Sequence, residues 1–522
     1  MNRGPSLGVR MLAYLAALVA VVLLYLPALP GQFAYDDYRA VVNNACVTGG
    51  LPVGEALQRD LWCETSGRTT GSYRPLAMMW SRGLYALFGA SPLAFRLGSI
   101  ALYGLVLLLL WRFSAAFKLP VSLRWWMLAW FTLMAVHSEA VLAAAALSDL
   151  FLAVTVLLFL LAYARWRMPL PGQEPCRLLG WTLLPLFLLA LAAKENGAVL
   201  LFVPAILEAS RPRPETGRRL LAPVVLSLVM LLITLAYLLM RNRLFGAVAI
   251  AVHGSDNPVA GFSFFPAFLE GVAALGKGML LMLCPAGLSI EHNGCTGGAS
   301  RLWVGVASGA FMLAGLGWAV VRKRPQWAMA ALLLGVTSGV QTLAAGQAPT
   351  LLAERHLLLP SAFIAILVAA GMARLWPAIS KLRVRRLVLA ALWLWVAMQG
   401  GFLWLRLPDW RSETDLYRSA VAACPDNYKM RVNLGHDLRT TGRCGEAVEV
   451  LNGAFGVMPQ KYLPSLHREL GMAYHLCGGF DQAVEQYIKS TQQRRDGDVD
   501  KLIPLAKQYN IPRDILLNLP YH

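Results

Sequence analysis

The stretch Leu12-Ala-Tyr-Leu-Ala-Ala-Leu-Val-Ala-Val-Val-Leu-Leu-Tyr-Leu-Pro-Ala-Leu-Pro30 runs directly into Gly31-Gln-Phe-Ala-Tyr-Asp-Asp-Tyr38, and this junction decides the class of fold. At 1.5 Å per residue the apolar part reaches roughly across a 30 Å hydrocarbon core. Arg3 and Arg10 precede it and hold the N-terminus in the cytoplasm, so Asp36 and Asp37 emerge on the far side. The run is too long for a cleaved signal peptide, and no small-residue cleavage site follows it. Two acids placed there either end a helix in water or mark chemistry at a membrane surface.

The rest of the chain extends this reading. Its 522 residues are 57% hydrophobic and 15% charged, with a mean hydropathy of +0.53, far more apolar than a soluble chain of this size. Apolar runs recur at 12–30, 93–111, 122–136, 140–163, 179–193, 197–209, 220–240, 302–321, 326–345, 357–373 and 387–405. These predict an all-α polytopic membrane protein of about 11 transmembrane helices. The net charge of +18 does not call for nucleic acid. Basic residues gather in alternate loops (Arg112, Lys118 and Arg124; Arg165, Arg167 and Arg177; Arg211 to Arg219; Arg322 to Arg324; Arg374 to Arg386), the pattern that orients membrane proteins. The opposite loops, beginning at Gly31, His137, Lys194, Arg241 and Gly346, are then extracytoplasmic. A full crossing by 262–284 would break this alternation, so that segment is expected to be re-entrant or interfacial, with an extracytoplasmic C-terminus.

The same topology leaves only Cys176 of the eight cysteines inside and permits a Cys46–Cys63 bridge in the first outer loop, residues 31–74. No His/Cys cluster has metal-site spacing, and no metal or cofactor is expected.

Residues 1–409 form the transmembrane domain in this reading, and 410–522 a soluble repeat domain. Leu434-Gly435, Ala447, Leu451 and Ala454 recur thirty-six residues later as Leu470-Gly471, Ala483, Tyr487 and Ser490. The turns Gly442-Arg-Cys-Gly-Glu-Ala447 and Gly478-Gly-Phe-Asp-Gln-Ala483 correspond as well. A half repeat carrying Tyr417, Ala420 and Pro425 precedes them. The pattern resembles the tetratricopeptide repeat, in which small residues let two antiparallel helices close together. Such a tail either docks a protein partner or caps the membrane domain.

Polar clusters punctuate the outer ends of the spans: Ser72-Tyr-Arg-Pro-Leu76, Val136-His-Ser-Glu-Ala140 with Asp149 beyond it, Ala193-Lys-Glu-Asn-Gly197, and Ala353-Glu-Arg-His-Leu-Leu-Leu-Pro360. Each alone reads as an interfacial cap or ion pair. Together they set carboxylates and cations on one membrane face, which a simple anchor does not need.

Their order resembles the transmembrane-and-tetratricopeptide (TMTC) O-mannosyltransferases and bacterial relatives. The elements are Phe33-Ala-Tyr-Asp-Asp37, Tyr73-Arg-Pro-Leu76, His137-Ser-Glu-Ala140, Lys194-Glu195, Ser255-Asp-Asn-Pro258, Ala353-Glu-Arg-His356 with Leu359-Pro-Ser361, and Trp410-Arg-Ser-Glu-Thr-Asp-Leu-Tyr417. The chain departs from the family at His356 and Leu358, and at Ile290-Glu-His-Asn293, where the family tends towards an Asp and an aromatic residue. The resemblance implies a GT-C membrane glycosyltransferase fold that uses a polyprenyl-phosphate sugar at the outer face.

That chemistry would suit the residue types. A serine or threonine hydroxyl needs a carboxylate to take its proton, and Asp36 or Asp37 is the candidate base. The lipid phosphate leaving group needs cations, for which Lys194, Arg355 and Arg74 are the candidates. Tyr73, His137, Glu139, Asp149, Glu195 and Glu354 are expected in support around the sugar or the first loop. The expected partners are a polyprenyl-phosphate-linked sugar, an exported protein acceptor and membrane lipid. The expected location is a bacterial inner membrane, with the active face and repeats periplasmic. A lipid or glycan acceptor and a non-catalytic scaffold are the competing readings. A transporter would need symmetric repeats and mid-membrane charges, which the sequence lacks.

Overall fold

The computed structural model describes residues 7–63, 70–167, 178–211, 218–246, 257–295, 297–343, 345–347 and 350–492. Ser255 and Asp256 of the Ser255-Asp-Asn-Pro258 element, Cys176, Arg177, Arg213 and the chain beyond Gln492 lie outside them. Among the described residues every regular element is helical. Contacts divide the chain after Ser412 into Met1–Ser412 and Glu413–His522.

In the first unit, 7 helices are long and apolar enough to cross a membrane, and Leu15–Ala28 and Leu178–Ala193 are shorter apolar helices. Large apolar side chains such as Leu232, Phe311, Leu313 and Leu394 stand outward, as they do where lipid replaces water. The Leu147–Arg167 helix is instead buried along most of its length and forms the centre of the bundle. The unit is a polytopic membrane domain.

Hydrogen bonds between the helix ends define two opposite faces. On one, Gln32 N donates to Arg411 O at 2.9 Å, so the first and last spans end side by side. Arg241 reaches Gly71 O at 2.8 Å on the same face, and Tyr35 Oη donates to Glu291 at 2.5 Å. At the other end, Glu208 joins Arg167 at 2.9 Å and Arg211 at 3.1 Å, and Lys323 Nζ donates to Ala209 O at 2.8 Å. The helical passes between these faces are Leu7–Tyr25, Pro92–Ser114, Val121–Leu133, Leu147–Arg167, Leu178–Ala193, Glu195–Phe202 continued by Val203–Ala209, Arg218–Phe245, Ala299–Val321, Pro325–Leu343, Leu358–Leu375 and Leu382–Arg406.

Phe264–Leu283 is also long and apolar enough to span, yet both of its flanks return to one face. Asn257 before it donates to Ala345 O at 2.6 Å, and Ser289 after it donates to Glu354 at 2.5 Å; both acceptors lie in the connection leading to Leu358–Leu375. The helix lies against the first turns of Ala299–Val321, where a Cβ on Gly276 would fall 2.0 Å from Arg301 O and one on Gly305 1.9 Å from Val272 O. Two glycines there bring the backbones together as small residues do in membrane bundles.

A further helix, Pro75–Phe88, was not expected from the apolar runs. Arg82 within it holds Cys46 O and Leu51 O at 2.9 Å each. It seats the first loop, which is also closed by the Cys46–Cys63 disulfide, with Cα atoms 5.8 Å apart. A bridge closing a loop of this size contributes about 3 kcal/mol. Phe33, Val41, Cys46, Val47, Met78 and Phe95 form the small core under that loop.

In the second unit, Glu413–Ala423 precedes two helical hairpins, Tyr428–Thr440 with Cys444–Asn452 and Leu463–Leu476 with Phe480–Gln492. A Cβ on Gly435 would meet Leu451 Cγ at 2.5 Å, and one on Gly471 would meet Tyr487 Cε1 at 2.7 Å. These are the residue pairs that the repeat aligned, so the small position serves the same helix closure in both hairpins.

Candidate active site

Four connections and one helix end converge on the face that carries Gln32 and Arg411. The first loop brings Asp36. Residues 31–37 are pinned at their start by Arg96, 2% exposed, whose guanidinium bonds Ala28 O, Gln32 O at 2.6 Å and Trp410 O at 2.8 Å. Tyr35 takes a left-handed φ of 56°, which for a residue with a Cβ holds only where contacts over-determine it. Its bond to the buried Glu291 supplies one such contact.

The two acids have different surroundings. Asp37 is 2% exposed, and its Oδ1 accepts from Ala145 N at 3.0 Å. Burial raises its pKa to about 7, although that bond and Arg96 oppose the rise. The Asp37 bond fastens the first loop to the 143–146 turn through one carboxylate oxygen. Asp36 is half-buried and acts electrostatically on Arg355.

The cations are paired. Lys194 Nζ lies 2.6 Å from Asp149 Oδ1, both side chains buried. Arg355 Nη1 bonds Glu139 Oε1, while Arg355 N donates to Glu139 Oε2 at 2.9 Å. Arg74 donates to Ser148 Oγ at 3.2 Å and sits 3.6 Å from Glu195 Oε1. Each partner comes from a different connection, so the carboxylates nearest in sequence, Glu195 to Lys194 and Glu354 to Arg355, are not the partners. Burial pushes the Lys194 pKa down; Asp149 opposes this and the Arg74 charge adds to it. Burial pushes Glu195 up, but Arg74 and then Lys194 more than offset it and leave the carboxyl below its usual range.

Arg355 also feels Asp149 and Asp36, and His356 feels Lys194, Arg355 and Arg74, so these groups form one charged cluster. Asp149, Asn196, Arg355 and His356 line a shared opening of about 20 Å³, room for one ordered water. Asp149 Oδ2, Glu195 Oε2, Arg74 Nε and Tyr237 Oη are buried without a hydrogen-bond partner among the described residues. Native interiors pair nearly all such groups, so the cluster retains capacity for a polar ligand.

Three supporting residues have their own partners. His137 is sealed between Tyr103 Oη at 2.9 Å and Ser361 Oγ at 2.8 Å, and burial pushes its pKa down to about 3. Its ring is neutral there and joins the Pro92–Ser114 helix to the start of Leu358–Leu375. Glu354 is fully buried and faces Ser289, His292 at 3.3 Å and Arg406 at 3.8 Å, so it anchors the 285–293 segment. Tyr73 Oη donates to Leu57 O at 3.0 Å, and its ring packs on Tyr237 at 6.3 Å, within the first loop's own support.

Arg96, Tyr35, Ser148 and Arg241 were missed by the sequence reading. Arg96 left a signal, since an arginine inside the 93–111 run is an ionisable group in a spanning segment. Among the described residues no group of three His, Cys, Asp or Glu is placed to hold a metal ion.

Fold and cluster together define an all-helical polytopic membrane protein with a tetratricopeptide-like tail and a charged site on one face. Comparison with known proteins gives this class a family likeness: the chain is TMTC-like along most of its length. It is 26% identical over 474 residues to Protein O-mannosyl-transferase TMTC4 of Mus musculus, covering 80% of this chain and 63% of that protein. The Homo sapiens TMTC4 protein is 27% identical over 474 residues, with 80% and 62% covered. Protein O-mannosyl-transferase Tmtc1 of Drosophila melanogaster is 26% identical over 561 residues, with 88% and 63% covered. The chain thus spans less than two thirds of the length of these relatives. No family model matches the chain, and no solved structure matches it.

Proposed function

We propose that the chain is a membrane O-glycosyltransferase of the mannosyl type. It moves a sugar from a polyprenyl phosphate to serine or threonine hydroxyls of exported proteins, on a GT-C-like fold. In this reading the face bearing Asp36 is extracytoplasmic, the N-terminus cytoplasmic and the membrane a bacterial inner membrane. The observation that carries the proposal is the position of Arg355, whose charge is shared by Glu139 and Asp149, on either side of the 140–148 stretch, and by Asp36 from the first loop. One face thereby offers a half-exposed carboxylate beside cations suited to a phosphate.

The reaction needs no covalent enzyme intermediate. The acceptor oxygen attacks the anomeric carbon, its proton passes to the Asp36 carboxylate, and the carbon–oxygen bond to phosphate breaks with the electron pair leaving on the polyprenyl phosphate. A single displacement inverts the anomeric centre. Arg355 would meet the phosphate with a planar fork, and Lys194 and Arg74 would add charge, in a site where few waters compete. Because Lys194 and Arg355 already hold Asp149 and Glu139, the phosphate must displace these carboxylates. The ion pairs keep buried cations compensated until donor binds.

Intact-mass analysis of exported proteins from cells with and without the gene tests the reading. The proposal expects a hexose-sized loss on defined acceptors when the gene is absent. Unchanged masses across the exported proteome would refute protein glycosylation and favour a lipid or glycan acceptor.

A further inference from the structure

The Leu7–Tyr25, Pro92–Ser114 and Val121–Leu133 helices leave a groove of about 860 Å³ between them. Its walls are apolar and partly small, with Ala17, Ala20, Gly104 and Ala129 where larger side chains would have closed the helices together. One end is different. Arg112 and Arg124 line it, together with Trp111 and Trp125, whose rings lie 4.5 Å apart. Indole pairs of this kind settle at the level of lipid headgroups.

Arg124 is positioned by the protein but keeps one guanidinium nitrogen uncommitted. Its Nε donates to Ser114 Oγ at 3.0 Å, Nη2 donates to Trp111 O at 2.5 Å, and the guanidinium lies 3.9 Å over the Trp111 ring. Nη1 has no hydrogen bond among the described residues. The Arg112 and Lys118 side chains likewise have no hydrogen bond or ion pair there, and no carboxylate lines the groove. Arg112 and Arg124 thus stand without a carboxylate partner at one mouth of an apolar slot. From Arg124 to Leu133 the slot is roughly 14 Å long at 1.5 Å per residue, close to half of a 30 Å hydrocarbon core. It is one leaflet deep, with its charge at the headgroup end.

We propose that this groove is a binding site for a phospholipid with an anionic headgroup, drawn from the leaflet next to the Arg112–Arg124 loop. The phosphate sits on Arg112 and Arg124, and the acyl chains lie between the three helices. The site would hold the first span, and with it the Asp36 loop, against the bundle. It is distinct from the donor cluster, which occupies the opposite face and would bind its phosphate through Lys194 and Arg355.

Native mass spectrometry of the full-length protein, offered palmitoyl-oleoyl phosphatidylglycerol or the matching phosphatidylcholine, tests the proposal. Wild type is expected to retain phosphatidylglycerol at least about tenfold better, and Arg112→Gln to lower that retention about fivefold, as removal of one cation near a headgroup does. Arg112 is exposed and unpaired, so this variant folds and decides the matter by itself. Ala129→Trp should expel both lipids by filling the slot. Equal retention of the two lipids by wild type, or retention of phosphatidylglycerol untouched by Arg112→Gln, would overturn the proposal. Mole-for-mole displacement of phosphatidylglycerol by a polyprenyl phosphate would also overturn it, and would assign the groove to the donor's chain.

Discussion

At the scale of single residues, adjacent acids of the same type have different surroundings. Asp36→Asn is expected to lower transfer by about 10²–10⁴-fold, the usual loss when a general base is removed. Membrane abundance should stay unchanged, because Asp36 is half-buried and asparagine keeps its shape and its backbone bond to Ala40 N. Asp37→Asn should leave measurable transfer, because the amide oxygen still accepts from Ala145 N. Rates at saturating acceptor separate the two variants, and equal losses would make the acids a coupled pair. Asp37 also has a signature in stability. Burial raises its pKa from 3.8 to about 7, so the folded state binds its proton more tightly than the unfolded chain does. Its contribution to stability is then fully present below pH 3.8 and is withdrawn as pH rises towards 7. Thermal melts of wild type against Asp37→Asn should diverge across that window, wild type losing stability relative to the variant as pH rises. Parallel curves would contradict the buried, protonatable carboxyl. The pair's place past a span was legible in the sequence, but the difference in surroundings was not. That difference depends on Ala145, more than a hundred residues away, and on Arg96 in the next span.

At the scale of elements, the spans were legible because lipid requires long apolar helices, and the outer-face clusters were legible because charges there are rare. The pairing within the clusters was not. Lys194 meets Asp149 across 45 residues and Arg355 meets Glu139 across 216, and no local spacing encodes such contacts. The Pro75–Phe88 helix was missed for a related reason: Arg82 interrupts its apolar pattern and points into the first loop. Conversely, the parity of the basic loops marked 262–284 as a segment that does not cross, and the bonds of Asn257 and Ser289 place both its flanks on one face. The ion pairs make a prediction of their own. Lys194→Met leaves Asp149 as an uncompensated buried charge and should destabilise the fold by about 3–5 kcal/mol. Lys194→Met with Asp149→Asn should recover most of that stability. If Lys194 also holds the donor phosphate, the double variant will be stabilised less than wild type by a short-chain polyprenyl phosphate, while Asp149→Asn alone will be stabilised more. Equal stabilisation of all four proteins would leave the pair purely structural.

At the scale of the whole molecule, a membrane domain with a charged face is tethered to two helical hairpins whose repeat was readable at Gly435 and Gly471, because a helix closure needs a small residue whichever protein it serves. Deleting residues 426–522 should reduce transfer to a full-length protein acceptor more than transfer to a short peptide. A tethered docking surface raises the local concentration of a large substrate and does nothing for a small one. Equal losses, with lowered abundance, would make the repeats a structural cap. The central claim is that this chain transfers sugar from a polyprenyl phosphate with Asp36 as base, and reconstitution measures it most directly. Purified full-length protein in lipid nanodiscs is given a short-chain polyprenyl-phosphate mannose and a serine- and threonine-bearing acceptor peptide, and the peptide mass is followed over time. The account predicts a gain of one hexose by wild type and almost none by an equally abundant, equally folded Asp36→Asn protein. A gain that is the same for both proteins would contradict it.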